Sequence, residues 1–447
     1  MTQLDNNNLC IIEYTTTDGE MLSFLEYAFD AEIVAHTYTE VGQIIFDKPI
    51  SIIGYSAFRE CENLASIAIP DSVTDIGEFA FYRCTGLKSI TIGENISAIG
   101  ANAFAECRGE IVINSKEIEM DYPFHSVALD YSWLIGAKFR RVTLGDNITS
   151  IGGYAFSRLE TIEQVIIPEG VTSIGDYAFC SCRELRDITI PDSVGYIGEG
   201  AFENCSSLTT ITIPEGVAII FMNTFANCTE LKSVTIADSV DTIGTSAFEN
   251  CSSLTTITIP TGVADIRDYA FLGCYLLKNI VVADENHTYD SRGGCNAIIE
   301  TDENCLLMGC SSTTIPASVT DIAPFAFCND PCLSSIVIPN SVRRLDVSIF
   351  ANCPNLRSVS IGSGVTSIDF ESFVDTNIEV MICWATIPPQ SEGFCHTTFA
   401  KDMQIYVPQE SMEAYKNSSG WAMYSDHIKP IEEYASQILI EQTLRKN

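Results

Sequence analysis

The sequence predicts an α/β solenoid, a right-handed stack of 23-residue coils with a parallel sheet on the concave side and short helical turns on the convex side. The first observation is a phenylalanine that returns with a fixed period. Of the eleven intervals between twelve such residues, nine are 23 residues, and the other two are 52 and 56. The second observation is a strand-like pattern, usually followed by proline, in each period. The twelve residues are Phe58, Phe81, Phe104, Phe156, Phe179, Phe202, Phe225, Phe248, Phe271, Phe327, Phe350 and Phe373.

One period, residues 185–207, shows how a coil is built. Ile188 and Ile190 alternate with polar residues, which is typical of a short strand with one buried face. Pro191 follows at once and ends the strand, because proline cannot donate to a sheet ladder. Gly198 permits a sharp change of direction, and Phe202 lies in a helical turn on the opposite side of the coil. Strands one coil apart are therefore expected to be parallel neighbours, roughly 4.8 Å apart.

The departures from the period predict how the rest of the chain is organised. Residues 1–46 do not match the coil, and residues 11–14 and 44–46 are predicted strands of an N-terminal β cap. Residues 47–383 form the solenoid. Residues 384–430 form a C-terminal cap with a helix near residues 411–416, and residues 431–447 are a tail. Caps are expected because a bare end would expose apolar core and an unpaired strand edge.

Two insertions interrupt the solenoid, near residues 108–141 and 283–315. They add 29 residues between Phe104 and Phe156, and 33 residues between Phe271 and Phe327. Insertions in a solenoid loop out from one face and often carry its binding specificity. Each is therefore either a lengthened coil with a hairpin packed on its edge or a specialised binding element.

These residues carry a family resemblance. The pattern Cys-x-x-Leu-x-x-Ile-x-Ile-Pro-x-x-Val-x-x-Ile-Gly-x-x-Ala-Phe resembles the BspA-like, Treponema-type leucine-rich repeat over roughly residues 50–383. Residues 405–431 are similar to the closing module of gut-bacterial members, and residues 289–301 resemble an insert of that group. The resemblance implies a leucine-rich-repeat solenoid at the bacterial surface or outside the cell. It also implies a protein that binds other proteins, often host matrix proteins, and has no catalytic site.

The net negative charge of the chain limits the classes of partner it can bind. The chain has 59 acidic and 24 basic residues, a formal charge of −35, which repels the phosphates of nucleic acids and anionic lipid. No stretch approaches the roughly 18 apolar residues of a membrane span. The N-terminus lacks the basic and apolar regions of a signal peptide, whereas the resemblance implies an extracellular or cell-surface location. We expect a monomer that binds a protein ligand, with host extracellular matrix and mucin as candidates, and neither nucleic acid nor membrane insertion.

Half of the 18 cysteines share one slot, three residues after the phenylalanine. That slot needs a small, buried, weakly polar residue, so free thiols are predicted there rather than disulfides. A local bridge among Cys180, Cys328 and Cys332 stays open. No Cys-x-x-Cys pair is present and the five histidines are scattered, and both observations argue against a zinc site. The slot holds Cys61, Cys84, Cys107, Cys182, Cys205, Cys228, Cys251, Cys274 and Cys353.

Acidic residues recur ten positions before the phenylalanine. Like charges in register repel, so such a row could recruit Ca²⁺ or a basic partner. The simpler interpretation is a solvated turn whose charges are screened by water. A calcium loop packs several oxygen ligands into one short segment, and this row does not. Its members are Asp71, Glu94, Asp146, Glu169, Asp192, Glu215 and Asp238.

The outward positions of three successive predicted strands carry hydroxyl groups. They form a flat row on the concave face, with Lys232, Lys278, Arg186 and Arg357 beside it. Such a face suits an extended protein or a glycan, and a regular threonine array also suits an ordered surface such as ice. Threonine favours exposed strand positions for local reasons too, so the row can also be purely structural. The row is Thr210, Thr212, Ser233, Thr235, Thr256 and Thr258.

We therefore expect a non-enzymatic, adhesin-like module that binds a protein through the concave sheet face and the insertions. The alternative is a carbohydrate- or mucin-binding, or carbohydrate-active, surface protein with Tyr131 and Trp133 of the first insertion as an exposed platform. A purely structural surface protein is a third interpretation. No Gly-x-Ser-x-Gly elbow is present, and the adjacent Cys395 and His396 would not orient as nucleophile and base. We expect no catalytic residue, metal or cofactor.

Overall fold

The structure is a computed structural model that describes residues 9–115, 133–369, 371–391 and 403–434. The chain divides into an N-terminal unit, residues 1–231, and a C-terminal unit, residues 232–447. Each unit is a stack of coils, as the phenylalanine period predicts. Among the helices of the described ranges, none is long and apolar enough to cross a membrane.

Each regular coil has three sides. A strand of the wide sheet begins eight residues after the phenylalanine, as in Ser89–Ile92 after Phe81. A two-residue strand ends five residues before it, as in Asp75–Ile76, and pairs with its equivalents in a narrow ladder. The phenylalanine itself lies in a turn on the third side, here called the turn side. These turns occupy the positions where helical turns were expected. An α-helix, Met412–Lys416, lies in the C-terminal region.

The wide sheet of the N-terminal unit has nine strands. Three form an antiparallel group at its edge, Cys10–Thr16, Gly42–Phe46 and Ile33–Tyr38. The parallel strands are Leu64–Ala68, Ser89–Ile92, Arg108–Ile113, Lys138–Leu144, Gln164–Ile166 and Asp187–Ile188. The strand Thr210–Ile213 follows. The narrow-ladder strands are Ile52–Ile53, Asp75–Ile76, Ala98–Ile99, Ser150–Ile151, Ser173–Ile174, Tyr196–Ile197 and Ile219–Ile220.

The C-terminal unit repeats this arrangement. Its wide-sheet strands are Ser233–Ile236, Thr256–Ile259, Asn279–Val282, Ser335–Ile338, Ser358–Ile361, Val380–Cys383, Gln404–Val407 and Ile428–Pro430. Its narrow-ladder strands are Thr242–Ile243, Asp265–Ile266, Asp321–Ile322, Arg344–Leu345 and Ser367–Ile368. Between them lie the insertion strands Tyr289–Asp290, Ile298–Glu300 and Cys305–Met308. Short 3₁₀ segments are Glu26–Ala28, Arg292–Gly294, Gln409–Ser411 and Ala422–His427.

The phenylalanines form the core. Rings that lie 23 residues apart stack nearly parallel, with centroids 5.3 Å apart for Phe179 and Phe202 and 5.4 Å apart for Phe248 and Phe271. Their spacing follows from the strand spacing, because each ring belongs to one coil. Burial of each ring contributes roughly 1.5–3 kcal/mol to the free energy of folding. The period thus marks an apolar column wherever successive coils keep the 23-residue spacing.

The cysteine slot has a specific partner. The thiol of Cys205 lies 3.2 Å from the carbonyl oxygen of Phe179, in the preceding coil. Cys182, Cys228 and Cys353 repeat this contact at 3.1–3.2 Å. Free thiols are therefore confirmed in this slot, and the described cysteines form no disulfide, Cys180, Cys328 and Cys332 included. A thiol suits the slot because it is small, apolar enough for burial and still a weak donor.

Two residues per coil adopt a left-handed backbone. They lie two positions before and two positions after the phenylalanine, as Ser246 and Asn250 do around Phe248, with φ of 54° and 58°. Asparagine tolerates this conformation better than most residues, and it recurs in the second position at Asn204, Asn227, Asn250, Asn329 and Asn352. These paired turns bend the chain around the phenylalanine ring.

The first coil of the N-terminal unit is covered. Strand Cys10–Thr16 pairs antiparallel with Leu64–Ala68 of the first coil, and Phe24 and Phe29 contact the ring of Phe58 at 5.5 and 5.8 Å. In the C-terminal unit Trp421 is fully buried, and its Nε1 donates to the Pro389 carbonyl at 2.9 Å.

The strands expected at residues 11–14 and 44–46, and the helix expected at 411–416, are present. The four-segment division stays a prediction.

Candidate binding surface

The predicted hydroxyl row faces solvent. We call the outward side of the wide sheet the sheet face. In the C-terminal unit Thr256 and Thr258 are exposed, whereas the alternating Ile257 and Ile259 are at most 1% exposed. Strand pleating accounts for this alternation. Ser233 and Thr235 are exposed in the same unit, and Thr210 and Thr212 are exposed in the N-terminal unit.

The sheet face also carries apolar groups that sequence reasoning missed. Thr258 is in register with Val281 on the next strand. Val281 is 39% exposed, and Val337 on a later strand is 65% exposed. They occupy the outward slot that threonine fills elsewhere, so the alternation alone could have identified them. The face thus combines hydroxyl groups with β-branched aliphatic surface.

Cations flank the row on this face. Lys232 and Lys278 are exposed and form no ion pair within the described ranges. Arg357, predicted beside them, pairs with Glu379 at 3.3 Å. In the N-terminal unit the corresponding polar side chains pair with one another, as Glu110 and Arg141 do at 3.7 Å. Lys232 and Lys278 of the C-terminal unit are therefore cations of the sheet face that are available to a partner.

The first insertion contains a diverged coil. Phe104 N–H donates to the Trp133 carbonyl at 3.4 Å, as Phe81 N–H donates to Ala103. Leu134, which follows Trp133, thus takes the place of the phenylalanine, and strand Lys138–Leu144 completes the coil in the parallel sheet. The 52-residue interval is therefore two coils of 30 and 22 residues.

The expected aromatic platform is not found at Trp133. Its side chain is 7% exposed, and its ring packs edge-on against Phe104 at 5.7 Å. A buried ring cannot stack on a sugar, so Trp133 is corrected from a candidate binding residue to a core residue. Tyr131 lies outside the described residues.

The second insertion is a hairpin. Strands Ile298–Glu300 and Cys305–Met308 pair antiparallel, and the second also joins the narrow ladder in parallel with Asp321–Ile322. This agrees with the prediction of a lengthened coil with a hairpin on its edge.

The carboxylate of Asp290 secures the base of the hairpin. It accepts from Arg292 Nε at 2.8 Å, and Arg292 Nη1 donates to Asn304 at 2.7 Å. Burial acts to raise the pKa of Asp290, but the hydrogen bonds from Arg292 outweigh it and hold that pKa below its ordinary value.

The periodic pattern has a counterpart among known proteins. The sequence profile of the BspA type leucine rich repeat region (6 copies) matches residues 32–126, 130–223, 201–293 and 302–402. These matches cover well over half of the 447 residues. The chain belongs to the BspA-type leucine-rich-repeat family. The resemblance seen in the repeat pattern is thereby confirmed.

Three solved structures are similar to this BspA-type chain. A leucine rich cell surface protein from Faecalibacterium prausnitzii is 26% identical, with 87% of this chain and 90% of that chain covered and a TM-score of 0.41. A leucine-rich repeat protein from Bacteroides ovatus is 20% identical, with 91% and 100% covered and a TM-score of 0.47. The pneumococcal vaccine antigen PcpA is 14% identical, with 92% and 98% covered and a TM-score of 0.43. No curated protein matches the chain.

The acidic row of this BspA-type repeat lies in solvent. All seven side chains are exposed, and Asp238 accepts from the N–H and hydroxyl of Thr261 at 3.2 and 2.9 Å. Within the described ranges no group of three or more potential ligands is placed to hold a metal ion. The geometry favours a solvated turn over a calcium site.

Two of the slot cysteines of this BspA-type chain, Cys228 and Cys353, are poor nucleophiles. Burial raises the pKa of the Cys228 thiol to about 12, and burial likewise raises that of Cys353 to about 12. The thiolate is the reactive form, so these residues stay protonated and inert at neutral pH. The Cys395 and His396 pair lies outside the described residues.

Aromatic residues line part of the turn side, which sequence reasoning missed. Tyr154 and Tyr177 stack at 5.1 Å, and Tyr177 donates to Glu199. Tyr269 and Phe325 meet edge to face at 5.4 Å. All occupy the slot two before the phenylalanine, and the recurrence of aromatic residues there was the available signal.

Proposed function

We propose that this protein is a non-enzymatic, adhesin-like recognition module that acts at the bacterial surface and binds a protein through its sheet face. The family carries the general class, since solenoid repeats provide extended binding surfaces. The observation that supports this use of the sheet face is the exposed row in the C-terminal unit, Ser233, Thr235, Thr256 and Thr258. It is flanked by Lys232 and Lys278, which have no ion-pair partner among the described residues.

The chemistry of the row suits a protein partner. Threonine and serine hydroxyls both donate and accept, so they pair with the main chain or polar side chains of many sequences. The exposed Val281 adds apolar contact area beside Thr258, and the exposed Val337 adds it on a later strand. Protein interfaces combine such apolar and hydrogen-bonding groups.

Lys232 and Lys278 indicate the charge of the partner. They project beside the hydroxyl row of a chain whose formal charge is −35, so they are local cations on an acidic molecule. A partner with carboxylates opposite these lysines would gain two ion pairs and avoid the acidic surface elsewhere. We therefore propose a host matrix protein or the protein part of a mucin with an acidic patch. Such binding weakens as salt rises.

The test is binding to a host extracellular-matrix extract and to purified mucin by the double variant Thr235→Asp and Thr258→Asp. Two added carboxylates leave charge unpaired inside the interface, which costs about 1–3 kcal/mol each. We expect affinity to fall at least about tenfold. The matched control is Thr149→Asp, which adds the same charge at an exposed threonine on the narrow-ladder side and should bind normally.

A second variant tests whether binding depends on the first insertion instead of the sheet face. The proposal is wrong if the double variant binds like the wild type while replacement of residues 116–131 by a Gly/Ser linker abolishes binding. That replacement retains Trp133 and Leu134, so the diverged coil keeps its buried residues. Circular dichroism of all variants separates loss of binding from loss of fold.

A further inference from the structure

Backbone hydrogen bonds join the turn sides of successive coils. In a regular coil three N–H groups donate to the next coil, from the phenylalanine and from the residues two before and two after it. In the coil of Phe248 the donors are Ser246, Phe248 and Asn250, at 3.1, 2.8 and 2.7 Å. We call this the turn-side ladder. It satisfies main-chain groups that would otherwise need water.

The turn-side ladder stops at the next coil. The corresponding N–H groups of Tyr269, Phe271 and Gly273 have no acceptor in the described part of the chain. Across the gap, the carbonyls of Pro324 and Cys328 stand in acceptor positions and have no donor among the described residues. The coil of Phe271 therefore presents an open main-chain edge, the kind of edge that other chains can pair with.

The hairpin causes the gap. Leu306 accepts in the narrow ladder and Gly309 donates in the turn-side ladder, as Ile76 and Phe81 do in a regular coil. Three positions separate Leu306 from Gly309, against five in the regular coil. The hairpin therefore crosses the turn side by a shorter path. It leaves some main-chain groups of the adjacent coils, those of Phe271 and Phe327, without hydrogen-bond partners among the described residues. A Cβ on Gly309 would lie 2.2 Å from a ring carbon of Phe327, so no side chain can fill the gap from there.

The result is a cleft of about 410 Å³ within the C-terminal unit. Its walls are mainly apolar and aromatic. Tyr269 is 45% exposed, and its ring meets that of Phe325 at 5.4 Å. The apolar lining includes Tyr269, Phe271, Leu272, Met308, Phe325 and Phe327.

The charge of the cleft is negative. Arg267 lines it but pairs with Asp265. Asp330 also lines it, and its carboxylate accepts from backbone N–H groups at 2.7 and 3.0 Å. Asp268 is exposed, and its side chain has no partner in the described ranges. A cationic side chain on a ligand would find its counter-charge at Asp268.

We propose that this cleft binds an extended, basic peptide segment of a partner protein, which pairs with the open edge by main-chain hydrogen bonds. In an extended chain alternate carbonyls point to the same side, which matches N–H donors on alternate residues of the edge. Alternate apolar side chains of the peptide enter the aromatic cleft, and a lysine or arginine reaches Asp268. Strand addition of this kind is a recurring mode of peptide recognition. The proposal does not depend on the sheet face, which is another side of the coil.

Hydrogen exchange of the free full-length protein tests the open edge. Unpaired amides exchange faster than bonded ones. We expect residues 268–274 to exchange at least about tenfold faster than residues 245–251, the matched segment in which all three donors are bonded. Equal protection of the two segments would overturn the proposal.

Binding is tested with three acetylated and amidated hexapeptides in which valine alternates with lysine, threonine or glutamate. We expect the lysine peptide to protect residues 268–274 at millimolar concentration and the glutamate peptide to leave them unprotected. The proposal fails if none of the three protects this segment. It also fails if the glutamate peptide protects it as well as the lysine peptide.

Two variants test whether the lysine peptide binds in the cleft. Asp268→Lys should weaken the lysine peptide at least about tenfold by charge repulsion, and Met308→Trp should block it by filling the cleft. The control Asp284→Lys makes the same charge change at an exposed carboxylate outside the cleft lining. If Asp284→Lys weakens binding as much as Asp268→Lys, the attraction is general and the proposed site is wrong. Thermal melting verifies that each variant is folded.

Discussion

At the scale of single residues, the repeated slots are explained by contacts between adjacent coils. The cysteine of one coil donates to the phenylalanine carbonyl of the coil before it, as Cys205 does to Phe179. Serine would supply a stronger donor but at a greater cost of burial, and alanine would supply none. The slot is thus selected for a weak donor in an apolar site rather than for redox chemistry.

The thiol contact predicts a defined loss of stability. Cys205→Ala removes the donor, leaves the Phe179 carbonyl without it and creates a small cavity. We expect the free energy of unfolding to fall by about 1–2 kcal/mol in denaturant titration. Cys332→Ala, at an exposed cysteine, should change it by less than about 0.5 kcal/mol. Equal effects of the two substitutions would show that the thiol–carbonyl contact contributes nothing.

At the scale of elements, the two insertions differ in what they do to the stack. The first restores the coil through Leu134 and strand Lys138–Leu144. The second forms a hairpin whose path across the turn side, from Leu306 to Gly309, is shorter than the equivalent path in a regular coil. The hairpin is retained by the pair of Asp290 and Arg292, whose side chains are 27% and 29% exposed.

This pair makes the hairpin sensitive to acid. Because the pKa of folded Asp290 is lowered, the stabilisation is complete above the ordinary value of 3.8 and is lost as pH falls through the folded value. We expect Asp290→Asn to reduce the free energy of unfolding at pH 7 by about 1–3 kcal/mol. The difference from the wild type should shrink as the pH falls well below 3.8.

Denaturant titrations at pH 7 and pH 3 measure this dependence. Asp284→Asn, at an exposed carboxylate, is the control for loss of one negative charge. A deficit for Asp290→Asn that is as large at pH 3 as at pH 7 would contradict the assignment, because it would not depend on ionisation.

At the scale of the whole molecule, the coil is the unit of construction. Within each unit the wide sheet, the narrow ladder and the turn-side ladder largely share one period of 23 residues, so each contact recurs one coil later. Stability is then close to a sum over coils and their interfaces. The units at residues 1–231 and 232–447 follow the same rule separately.

Removal of one coil should therefore be tolerated. Deletion of residues 180–202 joins Phe179 to Glu203 and brings equivalent positions together. We expect a folded protein with an unchanged circular dichroism spectrum per residue and a cooperative melt. Deletion of residues 180–191, about half a coil, should abolish the cooperative melt, because it moves every later phenylalanine out of the column. If both deletions melt alike, the coil is not the cooperative unit.

Much of the fold is predictable because the core repeats. A buried ring in every coil must recur at the length of the coil, so Phe58 to Phe104 already define the stack. The coil in the first insertion has Leu134 in the position of the phenylalanine. A period defined by phenylalanine alone therefore does not detect this coil. The burial of Trp133 could not be predicted either, because it depends on contact with Phe104 in the preceding coil.

The candidate surfaces were predictable to different degrees. Strand alternation places Thr256 and Thr258 in solvent whatever the rest of the chain does. The cleft could not be predicted, because it depends on the path length between Leu306 and Gly309 and on which ladder each residue joins. Those pairings are set by tertiary contacts, and the local sequence of the hairpin does not encode them.

The strand Cys10–Thr16 has a consequence for self-association. A parallel stack offers at its first coil a template onto which the last coil of another molecule could add, and repetition would give filaments. Because this strand runs antiparallel to Leu64–Ala68, it occupies the template with the opposite polarity. A coil of a second molecule could therefore not pair in parallel with Leu64–Ala68, because the antiparallel strands of residues 10–46 already occupy that edge. End-to-end polymerisation is blocked at this edge.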